Sequence, residues 1–410
     1  MAANSRQIHG YRDEYRKNDL VADTSDVPSI IADLGTLGIA LEAAPEESPR
    51  LGLTLLALPD LGGAMPALRA DTALLERVMA VRGRTLPAGI AQLPPDDLDL
   101  LLSKLRSMRT EHRVVGKNRF VDDLETLGEI NGGGSHKPVM IELETLASSR
   151  GAKTTRPAGY GIKIGIIDTA VYDHHDFDGR QLVPPPAKWV PPADPDDEHR
   201  AAHATMGVGI ILQHAPGAEL IVKSALDEAG EATAWAVASA MAEFLDNPVD
   251  ILHMPCGGVT QDGEPPLVLQ RAVELVVQEH GTVIVAAAGN LGLSENPLAG
   301  PLSSVWPAAL DVVTAVAAVD ADGDRPPFSA DPEKLDWVDI SAQGAAVPTT
   351  YPEDRFACAL GTSFAAANVT GVLAVEASRL GGDVRAALEN VRAMPPRSIG
   401  TGVPCGGAAS

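Results

Sequence analysis

The sequence predicts a three-layer α/β fold with a doubly wound, mostly parallel sheet, preceded by an N-terminal region that is α-rich or α+β. From about Pro138 onward, short apolar runs typical of buried strands alternate with stretches of helical periodicity. The predicted strands span 162–167, 219–223, 250–254, 282–288 and 312–319, and the predicted helices span 203–213, 232–245, 266–279 and 363–379. Because such alternation builds a parallel sheet with helices on both faces, functional side chains are expected at the carboxyl ends of the strands.

The first third of the chain has a different character. Apolar residues at helical spacing predict amphipathic helices over 72–82 and 96–112, and the glycine-rich stretch 131–135 predicts a hinge. We therefore expect an N-terminal accessory or propeptide-like region over 1–135, a linker over 136–154, the main domain over 155–400 and a tail over 401–410.

Composition narrows the classes of function. The net charge of −23, from 32 basic and 55 acidic residues, argues against binding to nucleic acid or to an anionic membrane. Cys256, Cys358 and Cys405 are odd in number and form no CxxC motif, so neither a disulfide framework nor a zinc site is expected. The polar first twenty residues and the proline- and glycine-interrupted stretch 51–68 predict neither a signal peptide nor a membrane span, which favours a cytoplasmic location.

A serine between small residues marks the start of an alanine-rich helix, in the sequence Gly361-Thr362-Ser363-Phe364-Ala365-Ala366. Such a serine is often only an N-cap. The same position also suits a nucleophile, because backbone N–H groups at a helix start favour the negative charge that develops there.

Three more polar residues follow apolar strands or open helices. Asp168 ends the strand 162–167, His203 opens a helix of small residues, and Asn290 closes the run 283–289. Taken singly, each is explained as a cap, a structural histidine or a turn residue. Taken together they supply an orienting acid, a general base and an amide donor for an oxyanion beside Ser363.

The order and the local sequences of these motifs resemble those of the subtilisin-like serine proteases (subtilases, peptidase family S8). The resemblance covers about residues 155–400 and rests on four segments, Ile166–Val171, His203–Thr205 with Gly209, Ala287–Asn290, and Gly361–Ala366 with Gly371. It implies a serine endopeptidase in which Ser363 is the nucleophile, His203 the base and Asp168 its partner, with Asn290 in the oxyanion hole. It also implies that two extended segments bind the substrate, namely Met254, Pro255, Cys256, Gly257 and Gly258 on one side and Ala287, Ala288 and Gly289 on the other.

The chain departs from the family pattern in the segment 253–258, which contains Pro255 and where the family usually carries Ser-Leu-Gly. Since proline has no N–H, the substrate-binding edge lacks one donor, and ordinary subtilisin specificity is not expected. The expected partner is a peptide or protein substrate. No cofactor is expected to be required, structural calcium is known in relatives but is not predicted, and the cluster 173–178 is interpreted as a turn without metal ligands.

The sequence is compatible with two functions. The first is a cytoplasmic peptide-processing or regulatory protease, and the second is a catalytically weak pseudoprotease that acts as a peptide-binding or scaffold module. The N-terminal region is compatible with a propeptide, a substrate-capture domain or a regulatory cap over the active site. The missing export signal favours a stable accessory domain among these.

Overall fold

The computed structural model describes residues 15–59, 61–85, 94–109, 113–124, 137–143, 156–294, 296, 299–401 and 405. The predicted hinge over 131–135 lies outside these residues. Within them, no helix is long and apolar enough to cross a membrane.

The N-terminal region is an α+β unit. Its elements are β1 (Tyr15–Asp23), α1 (Val27–Thr36), β2 (Glu46–Ser48), β3 (Leu53–Ala57), α2 (Met65–Ala70), α3 (Thr72–Thr85), α4 (Asp97–Ser107) and β4 (Val115–Asp122). The two predicted helices correspond to α3 and α4, and α4 ends at Ser107, five residues before the predicted end.

The remaining elements belong mostly to the predicted main domain. They are β5 (Val139–Ile141), β6 (Lys163–Asp168), β7 (Gln181–Val183), α5 (Glu198–Ala201), α6 (His203–His214), β8 (Glu219–Ser224), β9 (Glu231–Thr233), α7 (Ala234–Asp246), β10 (Ile251–Met254), β11 (Gly258–Val259), α8 (Leu267–His280), β12 (Val283–Ala287), β13 (Val305–Trp306), β14 (Val313–Val319), β15 (Ile340–Gln343), β16 (Val347–Tyr351), β17 (Arg355–Ala359), α9 (Thr362–Arg379) and α10 (Val384–Arg392). Every strand and helix predicted for this part is present, with ends within two residues of the prediction.

A seven-stranded sheet in the order β15-β14-β12-β10-β6-β8-β7 forms the centre of the main domain, and all of its paired strands are parallel. Successive side chains point to opposite faces. On β12, Val283, Val285 and Ala287 pack with α6, α9 and α10, whereas Ile284 and Ala286 pack with α7 and α8. Because helices cover both faces, the predicted three-layer α/β fold is confirmed.

A second, five-stranded antiparallel sheet joins the N-terminal unit to the main domain, in the order β2-β3-β1-β4-β9. Its outer face packs on helices of the N-terminal unit, with Leu20, Leu56 and Leu101 in one core. Its inner face packs on α7, where Val21 and Val121 share a core with Trp235. The N-terminal unit is therefore continuous with the main domain through both a shared sheet and a shared apolar core.

Strand β5 lies inside the segment predicted as a linker. It pairs antiparallel with β17, with Met140 opposite Ala357. The segment 144–155 that follows it lies outside the described residues, so the linker boundaries stay a prediction.

The cysteine prediction was wrong in one respect. Cys358 in β17 forms a disulfide with Cys405 of the tail, across 47 residues of sequence and with 6.1 Å between the Cα atoms. Spacing motifs detect cysteines that are close along the chain, whereas this pair is brought together only by the fold. Cys256 is free and buried.

Candidate active site

Asp168 and His203 form a buried hydrogen-bonded pair at the carboxyl edge of the parallel sheet. Asp168 is the last residue of β6 and His203 the first of α6, and each side chain is about 1% exposed. Both carboxylate oxygens of Asp168 lie 2.9 Å from Nδ1 of His203. Since a carboxylate only accepts, Nδ1 carries the proton and Nε2 is left as the basic nitrogen.

The local backbone fixes this pair. The N–H of Thr169 donates to Oδ1 of Asp168 at 2.6 Å, which holds the carboxylate at the strand end. The hydroxyl of Thr169 accepts from the N–H of Ala204 at 3.1 Å and so ties the strand end to the first turn of α6. The acid and the base are therefore positioned by two rigid elements.

Ser363 lies in the first turn of α9, and it is buried. The preceding Gly361 has φ +149°, a conformation that a residue with a side chain rarely adopts, and a Cβ there would lie 3.4 Å from Nδ2 of Asn290. The hydroxyl of Ser363 donates to the carbonyl of Pro255 at 2.9 Å. It therefore points at the residue that follows β10 and not at His203.

Asn290 follows β12 and is held at both ends of its amide. Its Oδ1 accepts from the N–H of Thr362 at 2.9 Å and from the Thr362 hydroxyl at 3.1 Å. This fixes Nδ2 as the end that faces the site, where it donates to the carbonyl of Leu124 at 3.3 Å. The amide is thus an oriented donor beside the start of α9.

The last described residues of the N-terminal unit, 122–124, lie in a groove between the segment at Gly257 and the loop at Gly230, next to these side chains. Asp122 exchanges both backbone hydrogen bonds with Gly257, at 2.9 Å each, and the N–H of Asp123 donates to the carbonyl of Gly230 at 3.0 Å. The side chain of Leu124 is fully buried. Asp122 and Asp123 therefore lie as an added strand between the loop at Gly230 and the segment at Gly257, and Leu124 follows them with φ +63°.

Gly230 makes room for this occupant. It has φ +70°, and a Cβ on it would lie 2.2 Å from Oδ2 of Asp123. Gly230 and the segment ending at Leu124 were not found from the sequence, because neither belongs to a local motif. Pro255 was expected to alter the substrate-binding edge, but the contact of its carbonyl with the Ser363 hydroxyl was not predicted.

The predicted substrate-binding residues differ in whether they face the groove. Gly257 lies in the groove and pairs with Asp122, while Gly258 pairs with Trp306 in the β11–β13 ribbon. The side chains of Met254 and Cys256 point into the core beneath α7 and α8, so only their backbone faces the groove. Ala287, Ala288 and Gly289 are the buried approach to Asn290, and the N–H of Gly289 donates to the Thr362 hydroxyl at 3.1 Å.

His174, His175 and Asp176 offer potential ligand atoms within 4.8 Å of one another. Nε2 of His174 bonds the carbonyl of Arg355 at 3.0 Å, and its Nδ1 accepts from the N–H of Asp176 at 3.1 Å. Because both ring nitrogens of His174 are already engaged, these contacts favour the interpretation of this cluster as a turn.

A buried histidine that the sequence analysis did not single out lies next to the Asp168–His203 pair. His253 of β10 is about 1% exposed, and a 3.1 Å hydrogen bond joins its Nδ1 to the hydroxyl of Thr370 on α9. Burial lowers its pKa to about 4, with the charge of Asp168 opposing this shift and that of His203 adding to it. His253 is therefore neutral at physiological pH.

The chain is similar to known proteins in sequence and in fold. The sequence model described as "Subtilase family" matches residues 159–393, more than half of the chain. Thermitase from Thermoactinomyces vulgaris is 31% identical over 246 residues, covering 57% of this chain and 81% of thermitase. Subtilisin DY from Bacillus licheniformis is 29% identical over 232 residues, covering 54% of this chain and 78% of that protein.

Among solved structures, the fold is similar to that of fervidolysin from Fervidobacterium pennivorans, described as a keratinolytic enzyme related to subtilisin. The TM-score is 0.59 at 18% identity, with 90% of this chain and 56% of fervidolysin covered. Together with the family match, these likenesses show that the chain belongs to the subtilase family of serine endopeptidases.

Proposed function

We propose that Asp168, His203 and Ser363 act as the catalytic triad of this endopeptidase, with Asn290 as an oxyanion donor. Oγ of Ser363 attacks a peptide carbonyl, and Nε2 of His203 takes the hydroxyl proton and passes it to the leaving amine. Asp168 holds the imidazole with its proton on Nδ1 and stabilises the imidazolium that forms. Nδ2 of Asn290 and the N–H of Ser363 stabilise the oxyanion, after which water hydrolyses the ester.

The observation that carries this proposal is the hydrogen bond from Asn290 to the carbonyl of Leu124. A peptide carbonyl rests against the amide that would stabilise its oxyanion. The peptide beside it pairs with Gly257 as an added strand. This arrangement supports a peptide bond as the substrate of the site.

The same bond supports a cap as the role of the N-terminal unit. Its strand β4 pairs with β9 of the main domain, and its last described residues occupy the groove. Of the roles compatible with the sequence, a cap over the active site accounts for these contacts most directly. Whether the unit stays covalently attached, as in a stable accessory domain, is decided by the experiment below.

The test uses a fluorophosphonate, which forms an ester with an activated serine. Arg119→Asp is the cap-weakened form, because Arg119 donates to Asp262 across the interface at 2.8 Å. We expect the probe to label the Arg119→Asp chain strongly and wild type weakly, and to leave both unlabelled once Ser363→Ala is added. A folded Arg119→Asp chain that takes no label would contradict the triad and favour a pseudoprotease.

Intact masses of the same samples test the attachment of the cap. A wild-type chain cut between residues 124 and 153, with Ser363→Ala uncut, identifies a removable propeptide, whereas an uncut wild type identifies a stable accessory domain. A role in peptide processing or regulation and a cytoplasmic location stay predictions from the sequence. The Cys358–Cys405 disulfide weighs against a cytoplasmic location, because disulfides persist mainly in oxidising compartments.

A further inference from the structure

The register of the added strand determines which hydrogen bond should form at Leu124. In an antiparallel pair, residues that exchange both backbone bonds recur every second position. Asp122 and Gly257 are such a pair. The next pair is Leu124 with Pro255, and since proline has no N–H, this pair reduces to one bond from the N–H of Leu124 to the carbonyl of Pro255.

Both members of that expected bond have other partners. The N–H of Leu124 donates to Oδ1 of Asp122 at 2.7 Å, which closes a short turn within the segment. The carbonyl of Pro255 accepts the hydroxyl of Ser363 at 2.9 Å. The ladder therefore ends with the pair of Asp122 and Gly257. The hydroxyl of Ser363 donates to the carbonyl of Pro255 in place of the N–H of Leu124.

The backbone of Leu124 agrees with this interruption. It has φ +63°, a left-handed conformation that costs a residue with a branched side chain free energy and that an extended strand does not contain. Leu124 is therefore turned out of the extended geometry of the added strand, although its carbonyl accepts from Nδ2 of Asn290.

We propose that the carboxylate of Asp122 is a latch that makes the N-terminal segment an inhibitor of the site and not a substrate; this rests on the proposed triad. By taking the N–H of Leu124, Asp122 keeps Leu124 out of the ladder and leaves the carbonyl of Pro255 to hold the hydroxyl of Ser363 away from His203. Asp122 is a positioning residue, because it acts through the backbone of Leu124.

Release of the latch has a defined chemical outcome. The N–H of Leu124 moves to the carbonyl of Pro255, which frees the hydroxyl of Ser363 to donate to His203. Oγ of Ser363 then bonds to the carbonyl carbon of Leu124. Its proton passes through His203 to the nitrogen of Glu125 as the C–N bond breaks, and water hydrolyses the resulting ester.

The test compares Asp122→Ala with Asp122→Asn in the full-length chain. Each chain is refolded from urea, so that folding sets time zero, and intact mass follows the appearance of a fragment that ends at Leu124. Asp122→Ala removes the acceptor, and we expect it to be cut roughly ten- to hundredfold faster than wild type, the range that the loss of a hydrogen bond to a charged group predicts. Asp122→Asn keeps an acceptor oxygen, which also closes such turns, and we expect it to be cut at about the wild-type rate.

Two controls separate the latch from simple loosening of the cap and from failure of the triad. Arg119→Asp loosens the interface without touching the N–H of Leu124, so it should raise fluorophosphonate labelling without raising the cut after Leu124. The latch is overturned if Asp122→Ala is cut no faster than wild type, if Asp122→Asn is cut as fast as Asp122→Ala, or if Asp122→Ala gains only labelling. If no chain is cut and the probe labels none of them, including Arg119→Asp, the triad itself fails.

Discussion

Asn290 links the carbonyl of Leu124 to the first turn of α9 through the two ends of one amide. Its Oδ1 is held by Thr362, so that Nδ2 points at the carbonyl of Leu124. A donor fixed in this way needs no reorganisation when negative charge develops on the carbonyl oxygen. The two bonds from Thr362 therefore hold Nδ2 in the direction of that oxygen.

Replacing this donor gives the first prediction. We expect Asn290→Ala to lower kcat by about 10²–10³ with little change in KM, because the donor stabilises the transition state more than the bound substrate. Thr362→Val removes one bond that orients the amide and should lower kcat by only about tenfold or less. Both are measured on unfolded casein in the Arg119→Asp background, and equal losses in the two variants would contradict a direct role for Nδ2.

His253 gives a prediction about pH. Its folded pKa of about 4 lies below the ordinary 6.5, so the unfolded chain binds the proton first. The stability that neutral His253 contributes is therefore complete above pH 6.5 and is lost as pH falls towards 4, a loss of about 3 kcal/mol in the free energy of unfolding.

The check is urea unfolding of the Ser363→Ala chain from neutral pH to about pH 4, with and without His253→Asn. Asparagine does not titrate in this range, so the variant should lose less stability on acidification than its parent. Parallel pH curves for the two chains would show that His253 does not titrate on unfolding as described.

At the scale of elements, strand β4 is the connection between the two parts of the molecule. It pairs with β1 in its own unit and with β9 in the main domain, and the side chain of Asn118 adds a bond to the N–H of Trp235 at the start of α7. Arg119 and Asp262 form an ion pair across the same boundary, and Arg119 is about one-tenth exposed. The N-terminal unit is therefore joined to the main domain by backbone pairing and by a few polar contacts.

Charge reversal tests this connection. Arg119→Asp places two carboxylates together at a site where the Arg119 side chain is 10% and that of Asp262 40% exposed. We expect fluorophosphonate labelling to rise roughly tenfold or more as the proposed cap opens. The swapped pair, Arg119→Asp with Asp262→Arg, restores opposite charges and should return labelling towards the wild-type rate. Equal labelling of the single and double variants would show that this ion pair does not hold the cap.

The elements also differ in how far the sequence predicts them. Strand β12 was predicted because it is a continuous apolar run, and its buried position leaves Asn290 as the polar residue at its end. Strand β4 was missed because its buried positions include Lys117, Asn118 and Arg119. Carboxylates satisfy the two charges, and the side chain of Asp19 and the N–H of Trp235 satisfy the amide. A strand whose buried side chains are polar has no apolar alternation to detect.

The same contrast applies within the site. Asp168, His203, Asn290 and Ser363 could be proposed because each sits at the end or start of a regular element. The segment that ends at Leu124 could not, because nothing in a sequence indicates which distant strand will accept an added one. For the same reason the pairing of Cys358 with Cys405 was invisible before the fold was known.

At the scale of the whole molecule, this disulfide closes a loop of 47 residues around α9 and α10. We expect Cys405→Ser to lower the free energy of unfolding by about 2–4 kcal/mol, because the open loop gains conformational freedom when unfolded. Urea unfolding of the Ser363→Ala chain measures this. Dithiothreitol should destabilise the parent by a similar amount and leave Cys405→Ser unchanged; if it leaves the parent unchanged as well, the bond does not form or does not stabilise the fold.

Strand β17 leads into the turn before Ser363. It is contacted by a segment that comes before the family-matched stretch and by one that comes after it. Strand β5 covers one of its edges, and Cys405 is bonded to Cys358 within it, yet both lie outside the stretch 159–393 that matches the family. A fragment trimmed to that stretch would keep every proposed catalytic residue and still expose a bare strand edge and an unbonded thiol shortly before Ser363. Bare edges of this kind invite pairing with other chains. The stretch of sequence similarity is therefore shorter than the stretch of chain that is needed to protect β17 from aggregation.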